Sequence, residues 1–413
     1  MLIQRLCIEN YRGFRTLELN FELDVTVLVG VNGAGKSSLL DAIAVMLSDA
    51  LYRAAGERPR SFADLDIRAG EASCWAELKA SLPPMAVPIA WSTAHARKGS
   101  KRTRSVARGP MMQWVDAKQA ERSAGRFVTE PIAVYYPTER TLLDVPGRVG
   151  KKHTFTSVDA LAQALEPRTV DFRLFFEWFR EREDIENERR AREDPRHRDP
   201  GLEAVRSAIE AFMPDFRDPR VQRSPQRFVV TKRGVVLEVD QLSDGERSLL
   251  ALVGDLARRL SMVSPVHALK HPAVVLIDEI EIHLHPAAQR DLIARFRRTF
   301  PNVQLVLTTH SPYALGEVPA RCVRLLRDFQ IEAPTIETEG QSVSVISTEV
   351  QGASVRPRAV ESLLVETRRA IDENDRRTAE RTLSRLKELV GDADPDVIRL
   401  DAFLDLLVHE GTA

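Results

Sequence analysis

Cysteine is scarce in this 413-residue chain: Cys7, Cys74 and Cys322 are far apart and form no CxxC pair. That excludes a disulfide framework and a cysteine zinc site, and it fits a reducing compartment. Long apolar runs are also missing, since none approaches the roughly 18 residues a membrane-spanning helix needs. Polar Gln4 and Arg5 stand where a signal peptide would begin its apolar stretch. Charge of one sign is absent as well. The formal net charge of -1 selects neither nucleic acid nor a membrane surface, so any such contact must come from local patches. A soluble, cytoplasmic protein with no membrane partner is expected. A hydrophobic content of 43% then allows two or three packed units over this length.

The opening reads as strands. Leu2 to Ile8 is largely apolar, Leu17 to Phe21 alternates, and Asp24 to Val29 is a short buried-strand pattern. Helical periodicity follows from Ser37 to Leu47. Strands are expected again at Ala72 to Leu82 and Pro131 to Tyr136, separated by a basic run, 97–108, with little that could enter a core. Phe172, Phe175, Phe176 and Phe179 then fall at helical spacing, and Leu202, Val205, Ile209 and Phe212 mark a second amphipathic helix. Residues 157–225 are therefore expected to be a helical insertion between lobe one (1–156) and lobe two (226–352). In lobe two, strands at 227–230 and 235–239 are joined by a Thr-Lys-Arg-Gly turn. Strands and helices then alternate through 274–277, 304–307 and 323–326, which implies a largely parallel sheet covered by helices. The segment 353–413 repeats helical spacing, as in Val360, Leu363, Leu364 and Thr367.

Four short motifs carry chemistry. Gly30-x-x-x-x-Gly35-Lys36-Ser37 satisfies the Walker A pattern between a strand and a helix. Its glycines let backbone N–H groups turn inward around phosphate, and the helix start adds its positive dipole end. Gly30, Asn32, Gly33, Gly35, Lys36, Ser37 and Ser38 are the expected nucleotide-binding residues, with Lys36 on the β- and γ-phosphates of ATP. Ser37 should supply a hydroxyl to Mg²⁺. Val274 to Ile277 is an apolar strand ending in Asp278 and Glu279. Paired carboxylates there suit a Mg²⁺ contact (Asp278) and a residue that orients or deprotonates attacking water (Glu279). Leu242-Ser-Asp-Gly-Glu-Arg247 opens an apolar helix, giving a second anion-binding helix start. Thr308-Thr-His310-Ser-Pro312 follows the strand 304–307.

LSDGE resembles the signature of the ABC-type ATPases, and the order of motifs matches theirs. The resemblance implies an α/β P-loop NTPase with an ABC-type two-lobe head, hydrolysing ATP in a head-to-tail dimer or higher oligomer. Ser243, Gly245 and Glu246 would close over the γ-phosphate held by a partner's Walker A loop, and His310 would sense that phosphate. Ile8-Glu-Asn-Tyr-Arg12-Gly-Phe-Arg15 is similar to the opening strand of the branch containing RecF, SMC-type and OLD ATPases, which places Arg12 near the nucleotide. Asp278-Glu-Ile-Glu-Ile-His283-Leu-His285-Pro286 resembles that branch's segment after Walker B, so His283 and His285 are read as dimer-loop residues rather than metal ligands. The chain departs from the pattern at Tyr135-Tyr-Pro-Thr-Glu-Arg140, where a glutamine loop would stand. The insertion is too short for an SMC coiled coil. Leu363-Leu-Val-Glu366 lacks the glycine a Toprim nuclease would need, so no intrinsic nuclease is expected. The compact form most resembles the ATPases of Septu-type antiphage systems, including retron-associated ones. That implies a regulatory subunit controlling an HNH-type nuclease, with the helical tail either docking that partner or packing on its own core. The alternative is a RecF/SMC-like DNA-repair ATPase that contacts nucleic acid directly, with the run 97–108 either on phosphates or solvated.

Overall fold

The computed structural model describes residues 1–85, 87–100, 104–125, 129–139, 155–167, 172–353 and 356–410, with side chains only to 404 in the last stretch. The chain divides into two compact units, Met1–Gln341 and Ser342–Ala413. The first unit opens on β1 (Leu2–Tyr11), β2 (Phe14–Asn20) and β3 (Val25–Gly30), followed by α1 (Lys36–Ala55). Then come β4 (Ser73–Ser81), β5 (Ile89–Ala96), α2 (Gly109–Ser123) and β6 (Ile132–Tyr136). The next stretch holds α3 (Phe172–Arg192), α4 (Pro200–Phe212), β7 (Phe216–Arg223), β8 (Gln226–Lys232) and β9 (Val235–Glu238). The unit continues with α5 (Asp244–Val263), β10 (Ala273–Ile277), α6 (Pro286–Gln289), α7 (Leu292–Thr299) and β11 (Val303–Thr308). It closes with α8 (Pro312–Leu315), β12 (Val323–Arg327) and β13 (Gln330–Glu332).

The described residues form three sheets. The central one has the order β13-β12-β3-β11-β10-β6 and is parallel except for the β12–β13 pair. Its strands β10 and β11 are buried at every residue, as strands covered on both faces must be. An antiparallel sheet, β2-β1-β4-β5, alternates buried and open positions along β2. Between the two sheets runs α1, which contacts β4 on one side and β3, β6, β10 and β11 on the other. Its burial on nearly all faces explains its near-continuous apolar sequence. Gly56, in the left-handed region at φ 79°, ends it. One buried polar side chain ties the layers: Gln304 of β11 accepts from the Ile3 N–H at 2.7 Å and donates to the Ile3 and Glu22 carbonyls at 2.8 and 2.7 Å.

The structure departs from the sequence reading in two places. The insertion expected to be helical over 157–225 turns to strand at Phe216, because β7 pairs with β8 across a bulge at which Asp218 has φ 51°. The basic run 97–108, read as having little to enter a core, instead sets Arg104 over the Trp75 ring and pairs Arg108 with the buried Asp49. The hairpin turn between β8 and β9 places Arg233 and Gly234 at φ 50° and 83°, the left-handed pair a two-residue turn demands.

The second unit is helical. After the short turns α9 (Val343–Val345) and 346–350 come α10 (Arg358–Asp372), α11 (Arg376–Val390) and α12 (Pro395–Glu410). Their facing stripes, including Val360, Leu363, Leu364, Leu383, Leu386, Val397 and Leu400, make a core of their own. The α11–α12 turn is held by Arg356, whose fork donates to Asp394 at 2.9 and 3.0 Å and to Asp396 at 2.8 Å.

Candidate nucleotide site

The Walker A loop leaves β3 at Gly30 and enters α1 at Lys36. A Cβ on Gly30 would lie 2.5 Å from the Leu326 carbonyl oxygen of β12, so only glycine fits. Gly33 and Gly35 sit at φ 83° and 99°, and a Cβ on Gly35 would strike the Phe14 ring at 2.5 Å. Lys36 folds back into the loop, its Nζ donating to the carbonyls of Gly30 at 2.8 Å and Val31 at 3.3 Å. Burial lowers the Lys36 pKa, and the nearby carboxylates of Glu279, Asp278 and Glu281 oppose that shift. Asn32, Gly33 and Ser37 are exposed, while Ser38 is half-buried.

Opposite the loop, β10 delivers Asp278 and Glu279. Asp278 is 4% exposed, and its backbone N–H donates to the Tyr136 carbonyl of β6 at 2.9 Å. Its carboxylate accepts from the Thr308 hydroxyl at 2.6 Å and from the Thr138 hydroxyl at 3.1 Å. Thr308 is used twice, since its Oγ1 also accepts from the Glu279 N–H at 2.7 Å. Glu279 itself sits in the left-handed region at φ 46°, a conformation rare outside glycine and frequent at functional sites. Glu281 accepts from the Thr309 hydroxyl at 2.8 Å and from the His310 backbone N–H, which fixes the segment that carries His310. Sequence reasoning assigned no role to Thr138, Thr308, Thr309 or Glu281. The only signal was their place at strand ends beside motifs already singled out.

The signature turn is a full capping box on α5. The Ser243 hydroxyl accepts from the Glu246 N–H at 3.4 Å, and the Glu246 carboxylate accepts from the Ser243 N–H at 3.2 Å and its hydroxyl at 3.0 Å. Lys232 of β8 stands 2.6 Å from the other Glu246 oxygen. Burial raises the Glu246 pKa, but Lys232 and Ser243 outweigh it and leave the carboxyl below its usual value. Gly245 is required by packing, because a Cβ there would lie 2.5 Å from the His283 carbonyl oxygen and 2.9 Å from Leu284. The turn is thus seated against the segment that follows Walker B. His285 acts locally, its Nδ1 capping α6 at the Ala287 N–H, 3.2 Å away.

Arg12 sits at φ 49° beside the Walker A helix. Its guanidinium donates to the Ser38 hydroxyl at 3.4 Å, to Asp66 at 2.9 Å and to Asp41. Asp41 is gripped from the other side by Arg60 at 2.5 Å. The basic run has a different fate. Arg104 pairs with Glu9 at 2.6 Å over the Trp75 ring, and Arg108 pairs with Asp49 at 2.7 Å. Lys101 and Arg102 of that run, and Arg140 of the departing segment 135–140, lie outside the described residues.

The geometry is that of a strand-loop-helix phosphate cradle faced by the buried Asp278 and the half-buried Glu279, and comparisons with known proteins agree. Residues 1–75 match the family model described as AAA ATPase domain. Residues 140–316 match the family model described as AAA domain, putative AbiEii toxin, Type IV TA system. This chain is a P-loop ATPase. The ATPase is 28% identical over 388 residues to the Retron Ec83 probable ATPase of Escherichia coli, covering 78% of this chain and 71% of that one. It is 25% identical over 401 residues to the Retron Vc95 probable ATPase of Vibrio cholerae, covering 83% and 77%. A 58-residue stretch is 38% identical to the DNA replication and repair protein RecF of Bacillus thuringiensis, covering 14% of this ATPase and 16% of RecF. Among solved structures, an SMC head bound to the C-winged helix domain of ScpA aligns over 82% of this chain and 98% of that one, with a TM-score of 0.46 and 16% identity.

Proposed function

We propose that this ATPase binds ATP with Mg²⁺, hydrolyses it in a head-to-tail dimer, and uses its nucleotide state to govern a machine acting on nucleic acid in the cytoplasm. One observation carries the reading: β3, which feeds the phosphate loop, and β10, which ends at Asp278, both pair with β11, whose Thr308 hydroxyl holds the Asp278 carboxylate at 2.6 Å. In this reading the backbone of Gly30, Gly33 and Gly35, with Asn32, Lys36 and Ser38, holds the phosphates. Asp278 is a buried carboxylate with two hydroxyl donors, and Ser37 offers an exposed hydroxyl at the start of α1, a hard-oxygen set that fits a magnesium ion. Bound there, the ion would neutralise phosphate charge. Glu279 orients or deprotonates the attacking water, His310 meets the γ-phosphate, and Arg12 braces the cradle through Ser38. Ser243 and Gly245 of a second copy close the site, with Glu246 holding the Ser243 turn in shape. The proposed division is a first lobe at 1–156, an insertion at 157–225, a second lobe at 226–352 and a tail at 353–413.

The test is direct. Glu279→Gln should bind ATP and accumulate as a dimer while turnover falls on the order of a hundredfold or more. Rapid hydrolysis by that variant would reject the assignment. Lys36→Ala mixed with a Ser243→Arg variant should recover up to one intact site per dimer, and no recovery at all counts against assembly in trans.

A second reading concerns the machine itself. The alignment with two retron ATPases over most of their length supports a regulatory subunit of an antiphage complex, one that restrains or licenses an associated HNH-type nuclease. The RecF stretch supports direct action on DNA instead.

A further inference from the structure

β12 and β13 pair with Arg327 opposite Gln330, so Asp328 and Phe329 alone make the turn between them. Both are left-handed, at φ 48° and 60°. A two-residue hairpin turn demands that pair of conformations, and it favours Asn or Asp followed by Gly. Asp328 fits that preference and Phe329 does not. A bulky side chain in the left-handed region is strained, and it persists only where its surroundings over-determine it.

Those surroundings are the phosphate loop and the turn that carries Arg12. The Phe329 ring lies over Gly13 so closely that a Cβ on Gly13 would overlap it. Gly13 is itself outside the left-handed region, so glycine is needed there for this contact and not for a backbone angle. The same ring meets Phe14 edge-on, with centroids 5.2 Å apart and planes at 84°. Phe14 is fully buried, and both rings border Gly35, where a Cβ would lie 2.5 Å from Phe14 and 3.4 Å from Phe329. Gly35 is the N-cap of α1, the residue at which the phosphate loop becomes helix. At the loop's other end, Gly30 packs on the Leu326 carbonyl of β12. One hairpin therefore touches both ends of the phosphate loop and the backbone next to Arg12.

We propose that Phe329 is a positioning residue for nucleotide binding: its ring, set between Gly13 and Phe14, holds the phosphate loop at Gly35 and the Arg12 turn at a fixed spacing. It acts through the backbone it packs on. Hydrogen bonds from loop N–H groups to phosphate weaken steeply with distance and angle, so a loop that shifts loses affinity. The proposal rests on the reading of Gly30 to Ser37 as the nucleotide loop.

The experiment uses the full chain. Phe329→Gly removes the ring and gives the turn the residue it prefers, so its thermal midpoint should stay within about 5 °C of wild type. Calorimetry with ADP and Mg²⁺ should show binding about tenfold weaker, and the ATP KM should rise about as much while kcat changes less than about twofold. Gly13→Ala should weaken ADP binding in the wild-type background and cost nothing further beside Phe329→Gly, because the ring it strikes is gone. ADP binding by Phe329→Gly equal to that of wild type overturns the proposal and leaves the loop's assignment intact. An equal loss from Gly13→Ala in both backgrounds overturns it too, since the effect would not run through the ring. So does a Phe329→Gly chain that circular dichroism shows to be unfolded, because the ring would then serve the fold and not the loop. If wild type binds neither ADP nor ATP, the reading of the loop and the proposal fall together.

Discussion

Thr308 does two jobs with one hydroxyl. It donates to Asp278 at 2.6 Å and accepts from the Glu279 N–H at 2.7 Å, so a single side chain holds both Walker B acids. A carboxylate buried as deeply as Asp278 loses on the order of 1–3 kcal/mol when a donor is taken away. Thr308→Val keeps the shape and removes the hydrogen bonds. We expect its kcat to fall about ten- to a hundredfold with little change in ATP affinity, while Thr308→Ser stays near wild type. Steady-state turnover beside a nucleotide titration checks this. Equal losses in both variants would show that the hydroxyl is not the reason.

At the scale of elements, α5 joins the signature turn to the middle of the sheet. Asp255, about three helical turns beyond Ser243, is fully buried and meets Arg258 at 2.6 Å and Arg259 at 2.7 Å, while accepting from the Tyr136 hydroxyl at 3.1 Å. The Tyr136 carbonyl in turn accepts from the Asp278 N–H, so strand β6 touches both the signature helix and Walker B. Burial pushes the Asp255 carboxyl up, but Arg259 and Arg258 more than reverse that and hold it at about 2. The folded-state value is thus depressed, so the group contributes stability above its unfolded pKa and loses it as pH falls towards about 2. Asp255→Asn should cost about 3–5 kcal/mol near neutral pH, because two buried guanidiniums lose their counter-charge. Denaturant melts of both proteins across a pH series should show the gap narrowing below about pH 4. A gap that stays constant would mean the loss is one of packing alone.

At the scale of the whole molecule, the two units each close a core. The last three helices bury Leu363, Leu383, Leu386 and Leu400 in a cluster of their own. Removing residues 342–413 should therefore leave a folded first unit that still turns over ATP, read by circular dichroism and phosphate release. If the tail docks a nuclease subunit, the truncated ATPase should lose that subunit in a pull-down. Retention by the truncated, folded protein would reject the docking role.

Much of this was legible in the sequence, and for a local reason. A glycine loop after an apolar strand, a capping box before an apolar helix and a strand ending in two acids are each set by neighbours within a few residues. Lys36, Asp278, Glu279, Ser243 and Gly245 could be named from such patterns, as could the three tail helices from their spacing. What only the tertiary structure decided spans far greater separations. Thr138 reaches Asp278 across 140 positions and Gln304 reaches Ile3 across 301. Asp255 looked like one more polar residue on a helix until the fold buried it beside Tyr136. The strand β7 was hidden for the same reason: Phe216–Arg223 is a strand because β8 pairs with it. Backbone preference is local and can be read along the chain, whereas burial and hydrogen-bond partnership are properties of the packed molecule.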